Sequence, residues 1–406
     1  MEASRVVSIA LFGLLQENVS LLTIEVVTYL SMFLLMLHIH SSGKRNATMF
    51  VAAAVQIFLM EWLLFGERRW YAQALVMLVP EIFPLFTLLL QAQLYYMAFV
   101  ATSRLRIDNF LQPFAMGCIV VLLVLPMEIL GAKFLWWTWH DTDPLLTARV
   151  YGVPLHLLFN HFYFAFAFVT AHHIFRWSVL EGDYYEEGQW KREWSYAVFV
   201  PFMTLLFGVV CLILFYHLFV DLFGVDISTC FHLLIAMSLI FCWMADREKD
   251  DPIVQELLAA VDAYDSDWLY PCIDHAVNQM VFVFSLIQIV LISAIDPSSI
   301  VSLGHHQPLG NCVQEEYFRS VLGLRQKRMR YLCVHEFDEE FNLCNYPVAQ
   351  LNYEQSWYMI CGRGYADYPS YLVVILSLVF FTNLLFYQML KRPNNTRRVS
   401  FQRKLN

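Results

Sequence analysis

Nine runs of about twenty apolar residues decide what this chain can fold into, and they lie at about 20 to 39, 47 to 65, 72 to 100, 111 to 131, 151 to 175, 196 to 220, 224 to 244, 277 to 295 and 369 to 390. A hydrocarbon core about 30 Å thick takes roughly 20 helical residues to cross. In lipid each segment must satisfy its own backbone hydrogen bonds, which leaves helices and closed barrels, and these runs lack the alternation of barrel strands. Charged residues make up 15% of the chain and apolar ones 59%, where an ordinary soluble domain carries about 25% charged. The expectation is an all-α polytopic membrane protein of about nine transmembrane helices. Val6 to Leu15 is too short to cross and has no small-residue cleavage site after it, so it reads as an interfacial lead-in.

Orientation follows from Lys and Arg in the connections. With the C-terminus in the cytosol, fifteen of the 26 basic residues fall on the cytosolic side and five in the short opposite segments, among them Arg69, Lys133 and Arg149. The other six lie in one long opposite loop, where the rule has little force. Cysteines give an independent indication. Cys312, Cys333, Cys344 and Cys361 cluster in that loop, between Asp296 and Tyr368, and four cysteines on an oxidising side imply two disulfides with three pairings open.

The organisation expected is therefore a membrane helical bundle over 1–295, a lumenal or extracellular cysteine-bearing loop over 296–368, a last transmembrane helix at 369–390 and a basic cytosolic tail at 391–406. Asp246 to His275 holds nine acids against two bases and contains a short helical pattern near Pro252 to Tyr264, which suits a solvated surface helix. Six basic residues and no acid in the tail suit attraction to anionic cytosolic lipid. Arg397-Arg398-Val399-Ser400 resembles a basophilic kinase site, which makes Ser400 a phosphorylation candidate, and the final Arg403 and Lys404 are similar to dibasic signals of the endoplasmic reticulum. Localisation in the endoplasmic reticulum or plasma membrane is expected, with the C-terminus cytosolic.

Inside the apolar runs, Glu25, Glu61, Glu81, Glu128, His156, Asn160, His161, His217, Asp221 and His232 all fall toward the lumenal ends once the spans are threaded. Ionisable groups in a membrane usually face a bundle interior or a wet cavity. One polar chamber opening to the lumenal side is expected, with Glu61, Glu128, His156 and His217 or Asp221 lining it. Glutamates in apolar surroundings suit a general acid near neutral pH, and Glu61, Glu81 and Glu128 are the candidates. His140, Asp141 and Asp143 lie just beyond the fourth run, with Asp141 and Asp143 at the expected mouth, and His156 and His161 follow on the fifth. His217 and Asp221, four residues apart, could ligate a metal together with His156, His161 or His232, although the repeated histidine pattern of membrane di-iron hydroxylases is missing.

The order of a glutamate, a tryptophan-rich turn with aspartates, and Tyr151-Gly-Val-Pro154 opening the next run resembles a local pattern of carotenoid-hydratase-type membrane proteins, over about residues 126 to 156. That likeness implies a site around Glu128 and Asp141. As a whole the chain is similar to uncharacterised polytopic membrane proteins of eukaryotes that carry no assigned activity. Three function classes follow: an intramembrane enzyme acting on a lipid or isoprenoid from the lumenal leaflet, a transporter or channel with a lumenal polar cavity, or a receptor or structural protein. Membrane lipids and a hydrophobic small-molecule substrate are the partners expected, and nucleic acid is not. No Walker loop, dinucleotide fingerprint or nucleophile elbow is present, so no soluble cofactor is implied.

Overall fold

A computed structural model of the chain describes residues 13, 17–42, 44–64, 69–105, 107–179, 190–245, 276–319, 322–333, 340–344 and 354–390. Readings placed on 246–275 and on the tail with Ser400 lie outside the described residues, as does the lead-in at 6–15 except residue 13. Long helices dominate: α1 (Val19–Ser42), α2 (Lys44–Leu64), α3 (Leu85–Thr102), α4 (Gln112–Lys133), α5 (Leu155–Ser178), α6 (Trp190–Leu212), α7 (Ile227–Ala245), α8 (Ala276–Ala294) and α9 (Tyr368–Leu390). Helix α6 runs on as a π-helix over Ile213–Leu222.

Seven of these are long and apolar enough to cross a membrane, namely α1, α3, α4, α6 with its continuation, α7, α8 and α9. Among the described residues that criterion accounts for seven of the nine expected spans. Helices α2 and α5 have the length as well, and they carry more polar residues inside the bundle. Helix α2 buries Gln56 and Glu61, and α5 buries His156, Asn160, His161, His172 and Arg176. Protein surrounds these polar groups, which is why the sequence tolerates them there. Helices α3 and α4 have 78% of their apolar windows buried against 6% for α7, so the first pair is central and α7 peripheral. Leu206, Phe215, Leu233, Met237 and Trp243 stand exposed on the peripheral helices.

The all-α expectation also needs amending, because five small sheets occur among the described residues. Strand β1 (Arg69–Tyr71) pairs antiparallel with β4 (Trp137–Trp139), placing Arg69 opposite Trp139 and Tyr71 opposite Trp137. Strands β2 (Met77–Val79) and β3 (Phe83–Pro84) form one hairpin, and β5 (Arg149–Val150) with β6 (Val153–Pro154) another. The apolar run at 72 to 100 is thus a helix only from Leu85. Pro80 and Pro84 supply no backbone N–H, and Pro84 takes the N-cap of α3, where that loss costs nothing. Glu81, expected within a span, instead occupies an exposed turn with φ of 62°.

The loop between α8 and α9 is a cap. Its strands β7 (Val301–His305), β10 (Phe341–Asn342) and β11 (Trp357–Gly362) form a sheet in the order β10-β11-β7, beside a hairpin of β8 (Glu315–Arg319) and β9 (Arg325–Met329). Disulfides join Cys312 to Cys333 and Cys344 to Cys361, which selects one of the three pairings. Backbone and side chains dock the cap on the bundle. The Gln73 amide donates to Leu303 O at 2.7 Å, the Ser302 hydroxyl to Leu135 O at 3.0 Å, and the Met329 amide to the Thr142 hydroxyl at 2.9 Å. Lys133 at the end of α4 reaches Glu340 at 2.7 Å.

The seam is closest at Gly304, where an added Cβ would stand 2.6 Å from the Tyr71 carbonyl oxygen. Backbone cannot yield as a flexible side-chain tip can, so Gly304→Val is expected to lift the cap at a cost of about 1 to 3 kcal/mol. A lower melting temperature of the purified protein, with faster proteolysis between Cys312 and Cys361, would register it; an unchanged melt would show that the seam does not need the glycine.

Candidate functional site

The most densely connected polar group sits where α2, α4 and the β1–β4 pair meet. Arg69 projects from β1 with its side chain fully buried. One terminal nitrogen donates to Glu61 Oε1 at 3.2 Å, and the other to both oxygens of Glu128 at 3.1 and 3.0 Å. Its guanidinium carbon lies 4.3 Å from the Trp137 ring centre, 4.5 Å from that of Trp139 and 5.1 Å from that of Tyr71. A cation over aromatic faces in a dry setting gains about 2 kcal/mol. Glu61 also accepts from the Tyr71 hydroxyl at 2.5 Å and from Gln91 at 3.1 Å, and His161 Nε2 lies 3.6 Å from Glu128. The two glutamates are thus ion-paired, in place of the apolar setting expected for a general acid.

A second group lies on the π-helical continuation of α6. His217 Nδ1 is 2.8 Å from Asp221 Oδ2, and both side chains are buried. Across from them on α5, the His156 ring lies 4.7 Å from Tyr216 and 6.0 Å from His217, centre to centre. π-Helical turns are rare and recur at functional sites. An imidazole whose Nδ1 is held by a carboxylate keeps a fixed tautomer and presents Nε2 for proton transfer. Helix α5 links the two groups, carrying His156 to this one and His161 to the arginine.

The remaining expected residues go elsewhere. His140 lines a cavity of about 700 Å³ between cap and bundle, packed on Trp70 at 6.0 Å. The Asp141 amide donates to Gln307, and Asp143, fully buried, binds Arg328 of the cap at 3.2 Å. Glu25 accepts from the amides of Leu75 and Val76, both at 2.9 Å, and from Tyr29, so it ties α1 to the β2–β3 hairpin. His232 is exposed on α7 and bonded to Ser228 of its own helix, outside both groups. Glu81 is likewise outside, 3.7 Å from His305. Among the described residues no cluster of three or more His, Cys, Asp or Glu is placed to hold a metal ion.

Polar burial also extends beyond the cap end. At the far ends of α5 and α6, His172 bonds Tyr196 at 2.8 Å and Arg176 pairs with Glu193 at 3.0 Å, while His173 meets Gln112 at 3.0 Å. Between the ends, Gln93 bonds Ser31 and Thr28. Arg69 is the central residue that sequence reasoning missed, having entered it only as a basic residue of a short connection. The signal was present in Arg69-Trp70-Tyr71, a cation among aromatics beside a run that ends in Glu61.

A family model described as "Domain of unknown function (DUF7802)" matches residues 10–391. No curated protein and no solved structure matches the chain.

Two outcomes follow from this geometry. Arg69→Met would leave two buried carboxylates without their cation and is expected to destabilise by about 3 to 5 kcal/mol; the thermal midpoint in detergent reads this, and Glu61→Gln should cost less. The second concerns His306 of the cap, fully enclosed, whose pKa falls from 6.5 to about 3 through burial and the neighbouring His305. Below pH 6.5 the unfolded chain takes up a proton there that the folded cap refuses until about pH 3. This group's contribution is intact above 6.5 and is lost on acidification at about 1.4 kcal/mol per pH unit. Melting from pH 7 to 4 should fall more steeply for the native protein than for His306→Gln.

Proposed function

We infer the function from the site itself, because the chain belongs to the DUF7802 family and that family's description carries no activity. The inferred function is that of a multi-pass integral membrane enzyme, working on a lipid or isoprenoid from the leaflet beneath the cap. The observation that carries it is the His217–Asp221 pair at 2.8 Å, buried on a π-helix opposite His156 and Tyr216. In this reading Asp221 orients His217, His217 moves the proton, and Tyr216 or His156 serves the opposite end of the reacting group. Glu61, Arg69 and Glu128 hold the helix ends that frame it. The likeness of residues 126–156 to carotenoid-hydratase-type proteins supports the isoprenoid end of the substrate range. Two disulfides and the fifteen-to-five bias in basic residues support a lumenal or extracellular cap and a cytosolic tail, in the endoplasmic reticulum or plasma membrane.

A transport role is the second reading, favoured by the buried polar groups at the far ends of α5 and α6 and by Gln56, whose amide atoms find no partner among the described residues. The two readings part in one experiment. Lipids from cells lacking the protein are compared with those from cells restored with native protein, His217→Gln or Asp221→Asn. The enzyme reading expects one lipid species to accumulate and to be cleared only by native protein, with turnover in membranes falling about 10²-fold or more in either variant. An unchanged lipidome, with solute flux in proteoliposomes lost in the same variants, would sink the enzyme and favour the transporter.

A further inference from the structure

We propose that the cavity of about 700 Å³ between cap and bundle binds a lipid bearing an anionic phosphate-type head group. The inference rests on the membrane-spanning reading above and not on the His217 chemistry. Its volume lies within the range of small-molecule sites, about 300 to 1,000 Å³, and exceeds what an inorganic anion fills.

Two buried polar atoms in its lining lack hydrogen-bond partners among the described residues, Arg69 Nε and His306 Nε2. Arg69 Nε–H can only donate. The other ring nitrogen of His306 is 3.2 Å from the Thr138 hydroxyl; with that hydroxyl donating, Nε2 carries the ring proton and is a second donor. Both atoms are sealed within the lining, the Arg69 side chain being wholly buried, so only an occupant that opens the lining can satisfy them, and it must bring acceptor oxygens.

Charge in the lining points the same way. Glu315 is engaged by Lys327 at 2.8 Å and Glu316 by Arg328 at 3.1 Å, so both carboxylates of the lining are ion-paired, Arg328 being shared with Asp143. Arg330 stands exposed in the lining, with its guanidinium 5.2 Å from the centre of the Tyr331 ring. An arginine there matches the bidentate geometry of a phosphate.

The lipid rather than a soluble phosphate ester is indicated by the β2–β3 hairpin. Ile82, in its turn, lines the cavity and is 56% exposed, and Leu78 and Val76 on the same hairpin are 41% and 39% exposed. Apolar side chains left bare beside a polar cavity suit an amphiphile whose head enters and whose chains lie along the hairpin.

The test uses the purified full chain in detergent and three probes: dioctanoyl phosphatidic acid, dioctanoylglycerol without the phosphate, and glycerol 3-phosphate without the chains. Binding is read by calorimetry and by the fluorescence of the tryptophans around the cavity. Phosphatidic acid is expected to bind at least about tenfold more tightly than either control, and Arg330→Glu and His306→Gln each to weaken it about tenfold. Arg330 is exposed, so its replacement keeps the test decisive if the His306 variant fails to fold. Equal affinity for dioctanoylglycerol would overturn the head-group assignment, and equal affinity for glycerol 3-phosphate would overturn the lipid. The measurement is repeated on His217→Gln: retained binding there, whatever its turnover, supports the cavity independently of the enzyme reading.

Discussion

Arg69 held between Glu61 and Glu128 is the interaction on which the cap end of this protein depends. It joins the last turn of α2 to the last turns of α4 through a residue that belongs to neither. The same arginine fixes the β1–β4 pair, because Trp137 and Trp139 lie against its cation from the opposite strand. Gly131 of α4 makes room for that strand: a Cβ there would collide with the Trp137 indole. Directly after β1, Ala72 bridges to Gly304 of the cap, so the seam inherits its position from the arginine. Magnitudes decide how this should be described. An ion pair in the interior repays desolvation only partly, but removing the cation alone strands two carboxylates at a far higher cost.

The polar groups of the bundle form a graded series rather than a single chamber. At the cap, the cavity is half open and lined by arginine and histidine. Beneath it, Asp143 holds Arg328 of the cap, and the arginine knot connects the lining to Glu61 and Glu128. Further along, α5 passes His156, Asn160 and His161 inward before reaching His172 and Arg176 at its far end. One central helix therefore carries polar contacts at both ends, through His161 at the arginine knot and through His172, His173 and Arg176 at the far end. That explains its departure from the apolar composition of the outer helices: α7 faces outward and is mostly apolar, whereas α5 is enclosed by protein over Leu155–Ala171.

Much of this was legible in the sequence, and the misses have physical causes. The long apolar runs, the two disulfides and the clustering of acids and histidines toward one end of the helices were read from local pattern. Strand β7 shows where pattern fails. It buries Ser302 and Gly304 while Val301 and Leu303 stay half exposed, the reverse of what apolar alternation suggests. The reason is that its inner face meets backbone, the Leu135 and Tyr71 carbonyls, which admit only small or hydrogen-bonding residues. Likewise the run at 72 to 100 is apolar throughout, and composition does not distinguish a hairpin packed under a cap from the helix that follows it.

By itself the sequence determined where the apolar segments lie and that a cysteine-stapled loop precedes the last of them. These follow from the cost of placing backbone and charge in hydrocarbon, which acts on each segment separately. Partner choice was decided by the tertiary structure. Arg69 and Glu128 are 59 residues apart, and Asp143 and Arg328 are 185 apart. The sequence made Glu61, Glu128 and His156 look equivalent; the fold gave the first two an arginine, while the aspartate of His217 lay four residues on in the same helical segment. Which of them can move a proton rests on those partners, because a buried ionisable group takes its chemistry from the charges and hydrogen bonds that chain folding brings within a few ångströms.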